Sequence, residues 1–189
     1  EVPVASLPPE VLPYIYPSRY CQSDRLGNLA MSEFGALPHG YNRVLAVQKW
    51  VQSQVRFKSN TSNSMTSAID TLTDRVGVCR DFAHLGITLC RALNIPARLV
   101  VGYVWFDEPP QDFHAIFEAW IGGRWVLFDP TGMAPPEKLV RIGTGRDAKD
   151  VAFSTLYGAV QMTRKELRVD EGDRDVQLRI EAELSAEDA

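Results

Sequence analysis

From Tyr41 to Val55 the apolar positions Val44, Val47, Val51 and Val55 recur at three- and four-residue spacing, which predicts an amphipathic helix with one buried stripe. A denser apolar run starts at Cys79 and continues to Leu93. It stops before Asn94-Ile95-Pro96, because proline disfavours helical geometry in the residue that precedes it. Between these helices Ser59–Ser67 is a polar loop, and Thr66 or Ser67 is placed to cap a short helix through Leu72. Beyond Pro96 the pattern changes. Ala97–Trp105, with Leu99-Val100-Val101 at its centre, predicts a strand buried on both faces and broken by Pro109-Pro110. His114–Ile121 and Arg124–Asp129 flank Gly122-Gly123, a strong signal for a two-residue hairpin. Lys138–Ile142 and Val176–Leu184 are further strand candidates. Helices first and antiparallel strands later predict an α+β fold, with the Cys79 helix packed on the sheet.

Helical geometry then sorts the residues of that helix. At about 100° per residue, Ala83, Gly86, Cys90 and Leu93 fall within about 40° of Cys79. The small residues on this stripe let a sheet approach closely. Asp81, His84, Thr88 and Arg91 lie on the opposite face, so His84 points away from Cys79.

Composition bounds the remaining choices. The 189 residues are 45% hydrophobic and 10% aromatic, enough for one substantial core. No apolar stretch approaches the ~18 residues needed to cross a bilayer. The formal charge of −4 is concentrated at one end: Thr163–Ala189 holds nine Asp/Glu against five Lys/Arg, and the rest balances at fifteen each. With no basic face, nucleic-acid binding has no electrostatic support, and neither a membrane nor a nucleic acid is expected as a partner.

Three cysteines argue against a disulfide framework. Cys79 and Cys90 on one helix stand roughly 16 Å apart at about 1.5 Å rise per residue, beyond the ~7 Å span of a disulfide. Cys79 with Cys21 remains geometrically open. The expected compartment is the reducing cytoplasm. Asn60-Thr61-Ser62 matches a glycosylation acceptor, but so short a match has little weight without a sign of secretion. Five of the twelve prolines lie in the first seventeen residues. This predicts a proline-rich extended strap over residues 1–20, leading from a domain upstream, and a core domain over 21–189.

The chemistry centres on Gly77-Val78-Cys79-Arg80-Asp81. A thiol at the N-terminal end of a helix meets positive partial charge, which favours thiolate. Two histidines, His114 and His39, are candidate bases; His39, in Pro38-His39-Gly40, reads as a surface turn. A two-residue loop at 122–123 sets position 114 opposite position 131, which brings Asp129 within about one pair of His114. An Asp beside a His fixes the imidazole tautomer and stabilises imidazolium. Cys79, His114 and Asp129 are therefore the candidate set for acyl transfer. Cys90 reads as core and Cys21 as structural. No CxxC or HxxxH pair exists, so neither a metal nor a cofactor is expected. Gly143-Thr144-Gly145-Arg146-Asp147-Ala148 fits G-x-G-x-x-A but lacks a following parallel unit, and a loop entering a short helix is expected there. Glu118 and Trp120 either border a substrate or belong to the sheet, while Trp50, Trp105 and Trp125 read as core.

The blocks GVCRDFAHLGITLCRALNIPARLVVGY and DFHAIFEAWIGGRWVLFDPTG, within a stretch from Pro17 through Ala148, resemble the bacterial transglutaminase-like superfamily, whose members include candidate cysteine proteases. The resemblance implies a papain-like core with Cys79 as nucleophile, His114 as base and Asp129 as orienter. It also implies a separate β-rich N-terminal domain and a peptide or protein substrate. Relatives often have an aromatic residue where Ile116 stands, so the cleft wall differs here. The expected reaction is hydrolysis of a peptide or amide bond through an acyl-thioester, because no acidic loop suggests the calcium regulation of animal transglutaminases. Transglutaminase-type cross-linking and a non-catalytic peptide-binding scaffold are the alternatives.

Overall fold

The structure, a computed structural model, describes residues 1–106, 112–155, 157–169 and 179–186. Its helices are α1 (Gly27–Phe34), α2 (Tyr41–Gln54), α3 (Ala68–Asp74) and α4 (Cys79–Ala92). The strands are β1 (Arg56–Phe57), β2 (Val76–Gly77), β3 (Ala97–Val104), β4 (Asp112–Ile121), β5 (Arg124–Phe128), β6 (Val140–Gly145), β7 (Val160–Arg168) and β8 (Arg179–Ala186). The order is α+β, with a four-stranded antiparallel sheet β5-β4-β3-β6 behind the helices. β1 and β2 form a two-residue parallel pair, and β7 and β8 pair with each other. The Pro109-Pro110 break and positions 176–178 of the last strand candidate lie outside the described residues.

α2 forms because its valines share one stripe, and Val44, Val47 and Val51 are fully buried. α3 starts at Ser67, whose hydroxyl and backbone N–H both donate to Asp70 Oδ2, at 2.7 and 2.8 Å. Arg75, in the left-handed region at φ 57°, terminates it. At the head of α4, Asp81 Oδ2 accepts the Val78 backbone N–H at 2.9 Å. This satisfies one of the amides a helix start leaves unpaired and sets negative charge against the dipole. At its foot, Asn94 turns at φ 60° and the Ile95 N–H bonds back to Cys90 O at 3.0 Å.

The core lies between α4 and the sheet. Gly86 gives up a side chain so that Phe117 can approach: a Cβ there would stand 2.7 Å from the ring. Phe117 in turn stacks on Phe128 at 5.5 Å between ring centroids. Gly122 and Gly123, at φ 60° and 77°, close the β4–β5 hairpin with the twist that suits paired strands. Across the sheet, Glu118 is fully buried between Arg98 of β3, at 2.5 Å, and Arg141 of β6, at 2.8 Å.

The polar face of α4 is as enclosed as its apolar face. His84 and Thr88 are fully buried and Arg91 nearly so. The Arg91 guanidinium donates to Ala97 O (2.9 Å), Tyr16 O (3.1 Å), Ser18 Oγ (2.9 Å) and Arg146 O (2.6 Å). One side chain thus ties the N-terminal segment, the start of β3 and the turn after β6 to the helix. Residues 1–20 do not run fully extended. They wind through 3-10 turns at Val4–Ser6 and Leu12–Tyr14, with Leu7 and Val11 buried.

Candidate active site

Cys79 opens α4 as a free, half-buried thiol. Its helix position follows from the sequence: Val78 is extended, Asp81 caps the turn, and the chain from Asp81 to Arg91 is buried without interruption. Arg80 and Asp81 also anchor the preceding loop. Asp81 Oδ1 accepts the Ser62 hydroxyl at 2.9 Å, and the Arg80 guanidinium donates to Ser62 Oγ and, at 2.7 Å, to Asn63 O.

His114, near the start of β4, is buried and its Nε2 lies 2.9 Å from Asp129 Oδ2. Cys79 lies close enough to the ring to raise its hold on the proton, and with Nε2 committed to Asp129 the nitrogen left for sulfur is Nδ1. Phe106 packs edge-on to the imidazole at 5.3 Å. Asp129 follows β5 and is buried. Its Oδ1 accepts the Thr131 N–H at 2.8 Å and the Thr131 hydroxyl at 2.7 Å, and Oδ2 also receives the Ala134 N–H at 3.4 Å.

The charges follow from this bonding. Burial opposes a charged imidazole, but hydrogen bonds to Asp129 and Cys79, and the charges those groups carry, outweigh it and raise His114 from its ordinary 6.5 to about 9. Burial likewise opposes an ionised Asp129, yet the His114 and Thr131 bonds hold its carboxyl below the ordinary carboxylate value. At neutral pH the pair is an imidazolium–carboxylate couple with the Cys79 sulfur on its other side. A sulfur, an imidazole and a carboxylate are gathered here in one place, an arrangement that acyl transfer can use.

The remaining sequence candidates fall elsewhere. His39 is exposed and pairs with Glu1 at 3.1 Å. His84 is stacked on Tyr20 at 5.2 Å, and its Nε2 accepts the Ala148 N–H at 3.1 Å. Burial, with the Arg80 and Arg91 charges and against that of Asp147, lowers it to about 3, so it stays neutral. All three cysteines are free. Cys21 is fully buried and pushed up to about 12 by burial, its thiol reaching His84 O at 3.6 Å; burial raises Cys90 as well. Glu118 is the buried carboxylate of an ion triad whose Arg98 is partly buried and whose Arg141 is exposed. Trp120 is half-buried and stands edge-on to Trp125, also half-buried, as are Trp50 and Trp105. The 143–148 segment is the end of β6 followed by a turn, without a helix. Sequence reasoning missed Thr131. The signal was present in Asp129-Pro130-Thr131-Gly132, where an Asp two residues before a Thr favours a side-chain turn. Among the described residues no group of three or more His, Cys, Asp or Glu could hold a metal ion, and no helix is long and apolar enough to cross a membrane.

Comparison with known proteins places this geometry in context. The family model of the transglutaminase-like superfamily (transglutaminase core) matches residues 31–130. The crystal structure of a candidate cysteine protease from Cytophaga hutchinsonii is similar over 100% of this chain and 60% of its own, at 46% identity and a TM-score of 0.81. The periplasmic domain of TgpA from Pseudomonas aeruginosa, bound to ethylmercury, shares the fold over 71% of this chain and 53% of its own, at 24% identity and a TM-score of 0.55. An uncharacterised Mycobacterium leprae protein, ML0607, is 36% identical over 120 residues, 58% of this chain and 42% of that protein. The chain therefore spans well under two thirds of the length of these relatives.

Proposed function

The chain belongs to the transglutaminase-like superfamily, and from that premise we propose that it is a thiol hydrolase acting on a peptide or amide bond. One observation carries the proposal: a buried imidazole, held 2.9 Å from the Asp129 carboxylate, lies close enough to Cys79 for the sulfur to raise its hold on a proton. Cys79 Sγ, as the thiolate whose proton the His114 imidazolium holds, attacks the acyl carbon and forms the C–S bond. His114 delivers its proton to the departing amine as the C–N bond breaks. Water then attacks the thioester, gives a proton back to His114, and the C–S bond breaks to release the carboxylic acid. Asp129 holds the ring throughout and compensates its positive charge. The backbone N–H of Cys79, at the helix start, is a natural donor for the developing oxyanion.

Hydrolysis is favoured over amine transfer by the likeness to the Cytophaga protein, described as a candidate protease. The site itself would serve either acceptor. Iodoacetamide at neutral pH, followed by peptide mass analysis, tests the nucleophile: alkylation concentrates at Cys79 and slows strongly in His114→Ala. A library of acyl donors offered with and without a primary amine then separates the outcomes. Free acid supports hydrolysis, amide product supports transfer, and neither product with slow, His114-independent alkylation refutes the enzyme reading in favour of a peptide-binding scaffold.

A further inference from the structure

Thr131 receives no role in the reaction above, yet its side chain makes two of the hydrogen bonds that define the site. Its hydroxyl sits between Asp129 Oδ1, at 2.7 Å, and the backbone N–H of Met133, at 3.1 Å. An amide N–H can only donate, so the hydroxyl must accept from Met133 and place its own hydrogen on Asp129. The direction of the chain is therefore fixed: Met133 N–H to Thr131 Oγ, Thr131 O–H to Asp129 Oδ1. The Thr131 N–H meets the same oxygen at 2.8 Å. With Oδ1 occupied twice, the carboxylate presents Oδ2 to His114 Nε2. That ring nitrogen must then carry hydrogen, and Nδ1 is the one presented to Cys79.

The turn that carries Thr131 is itself braced. The Gly132 N–H closes on Asp129 O at 3.3 Å, and Gly132 stands at φ 67°, a conformation that favours glycine. A Cβ at Gly132 would lie 2.3 Å from Gln52 Nε2, the group of α2 that donates to Thr131 O at 3.4 Å. The turn is thus fitted against the helix layer on one side and aimed at the histidine on the other.

We infer that Thr131 is a positioning residue whose hydroxyl locks the Asp129 carboxylate and, through it, sets the tautomer and proton affinity of His114. This rests on the proposed Cys79–His114–Asp129 chemistry and adds a residue to it. Without the hydroxyl, the carboxylate loses a donor and one of the constraints on its rotation, so its hold on the imidazole weakens.

The test follows the ring nitrogens of His114 by NMR between pH 5 and 11 in the wild type, Thr131→Val and Thr131→Ser, with Cys79 alkylation rates in parallel. His114→Gln assigns the resonance. Thr131→Val lowers the His114 titration midpoint by about one unit and slows alkylation at pH 8.5, between the two midpoints, by about threefold, the fall in imidazolium that one unit causes there. Thr131→Ser titrates as the wild type does. Thr131→Ala supplies the same comparison should valine disturb folding. A folded Val or Ala variant with the wild-type midpoint, or a Ser variant shifted as far as Val, overturns the inference. His114→Ala separates the levels: if it leaves alkylation of Cys79 unchanged, the underlying pairing fails and the role of Thr131 with it. If it slows alkylation while Thr131→Val does not, only the role of Thr131 falls.

Discussion

Raising the pH from about 6 to about 10 will weaken the native state through His114, and removing the imidazole will remove that dependence. In the unfolded chain the ring titrates near its ordinary 6.5; in the folded protein it titrates at about 9. Below 6.5 both states hold the proton and the full stabilisation is present. Between 6.5 and 9 only the folded state holds it, so the advantage drains away as pH rises, and above 9 it is gone. The gap of roughly 2.5 units, at about 1.36 kcal/mol each, amounts to about 3 kcal/mol. Asp129 acts at the opposite end: its folded value is depressed, so its contribution is present above the ordinary 3.8 and lost as pH falls below it. The pair is fully stabilising between about pH 4 and 6.5. Urea unfolding followed by tryptophan fluorescence measures this at pH 6 and pH 10 in the wild type and in His114→Gln. Titrating groups that do not touch His114 cancel in the difference between the two proteins, and what remains is the His114 site with its partners Asp129 and Cys79. That difference should shrink by about 3 kcal/mol across the range, about 1.5 M in urea midpoint at a slope near 2 kcal/mol/M. A difference constant to within about 0.5 kcal/mol would show that His114 titrates alike folded and unfolded, and the reasoning would be wrong.

Two further predictions concern the scaffold. Gly86→Ala gains about 1 kcal/mol of helix propensity, but its Cβ lands 2.7 Å from Phe117, a fully buried ring stacked on Phe128. Overpacking of about 1–3 kcal/mol then wins, and a variant more stable than wild type in urea contradicts the close packing of α4 on β4. Glu118→Gln keeps the shape of the side chain and leaves the Arg98 and Arg141 guanidinium groups without their shared charge. With Arg141 exposed and Arg98 partly so, it should lose about 1–2 kcal/mol, and Glu118→Leu with Arg98→Met should recover much of that; a single variant that melts with the wild type would mean the triad holds nothing.

What could be read from the chain was whatever a short segment decides for itself. Gly122-Gly123 permits only a two-residue loop, and the observed register, from Ile121 opposite Arg124 to Phe117 opposite Phe128, continues to set 114 opposite 131. Asp129 therefore falls beside His114, as expected. α2 and α4 follow their apolar spacing to within about a residue at each end. α1 and the two-residue strands β1 and β2 were not legible, since eight residues or two carry too little periodicity. β7, Val160–Arg168, is largely polar, with Arg164, Lys165, Glu166 and Arg168 in its second half, and no sustained apolar alternation announces it. The neighbour of β6 in the sheet, β3 and not β5, is a long-range choice that no local pattern encodes. The angular reading of α4 correctly turned His84 away from Cys79. It could not foresee that residues 16–21 and 146–148 would cover that face, because the partners of Arg91 and His84 come from distant parts of the chain.

That covering bears on how the site works. Every residue of α4 from Asp81 to Arg91 is buried, on the polar side as well as the apolar one, while Cys79 and Arg80 at its tip remain half-exposed. A helix packed on one face can rock on its sheet; one enclosed on both must break the Arg91 and His84 bonds as well as the core to do so. Asp147 braces the cover itself, its Oδ2 accepting the Tyr20 N–H at 2.8 Å. The thiol is thus carried on a clamped rod, and His114 is held by Asp129, itself held by the Thr131 turn. Acyl transfer gains most when reacting groups lose little freedom on approach. In the proposed reaction the buried polar contacts behind α4, far from the sulfur, serve the chemistry by fixing the helix tip that carries Cys79.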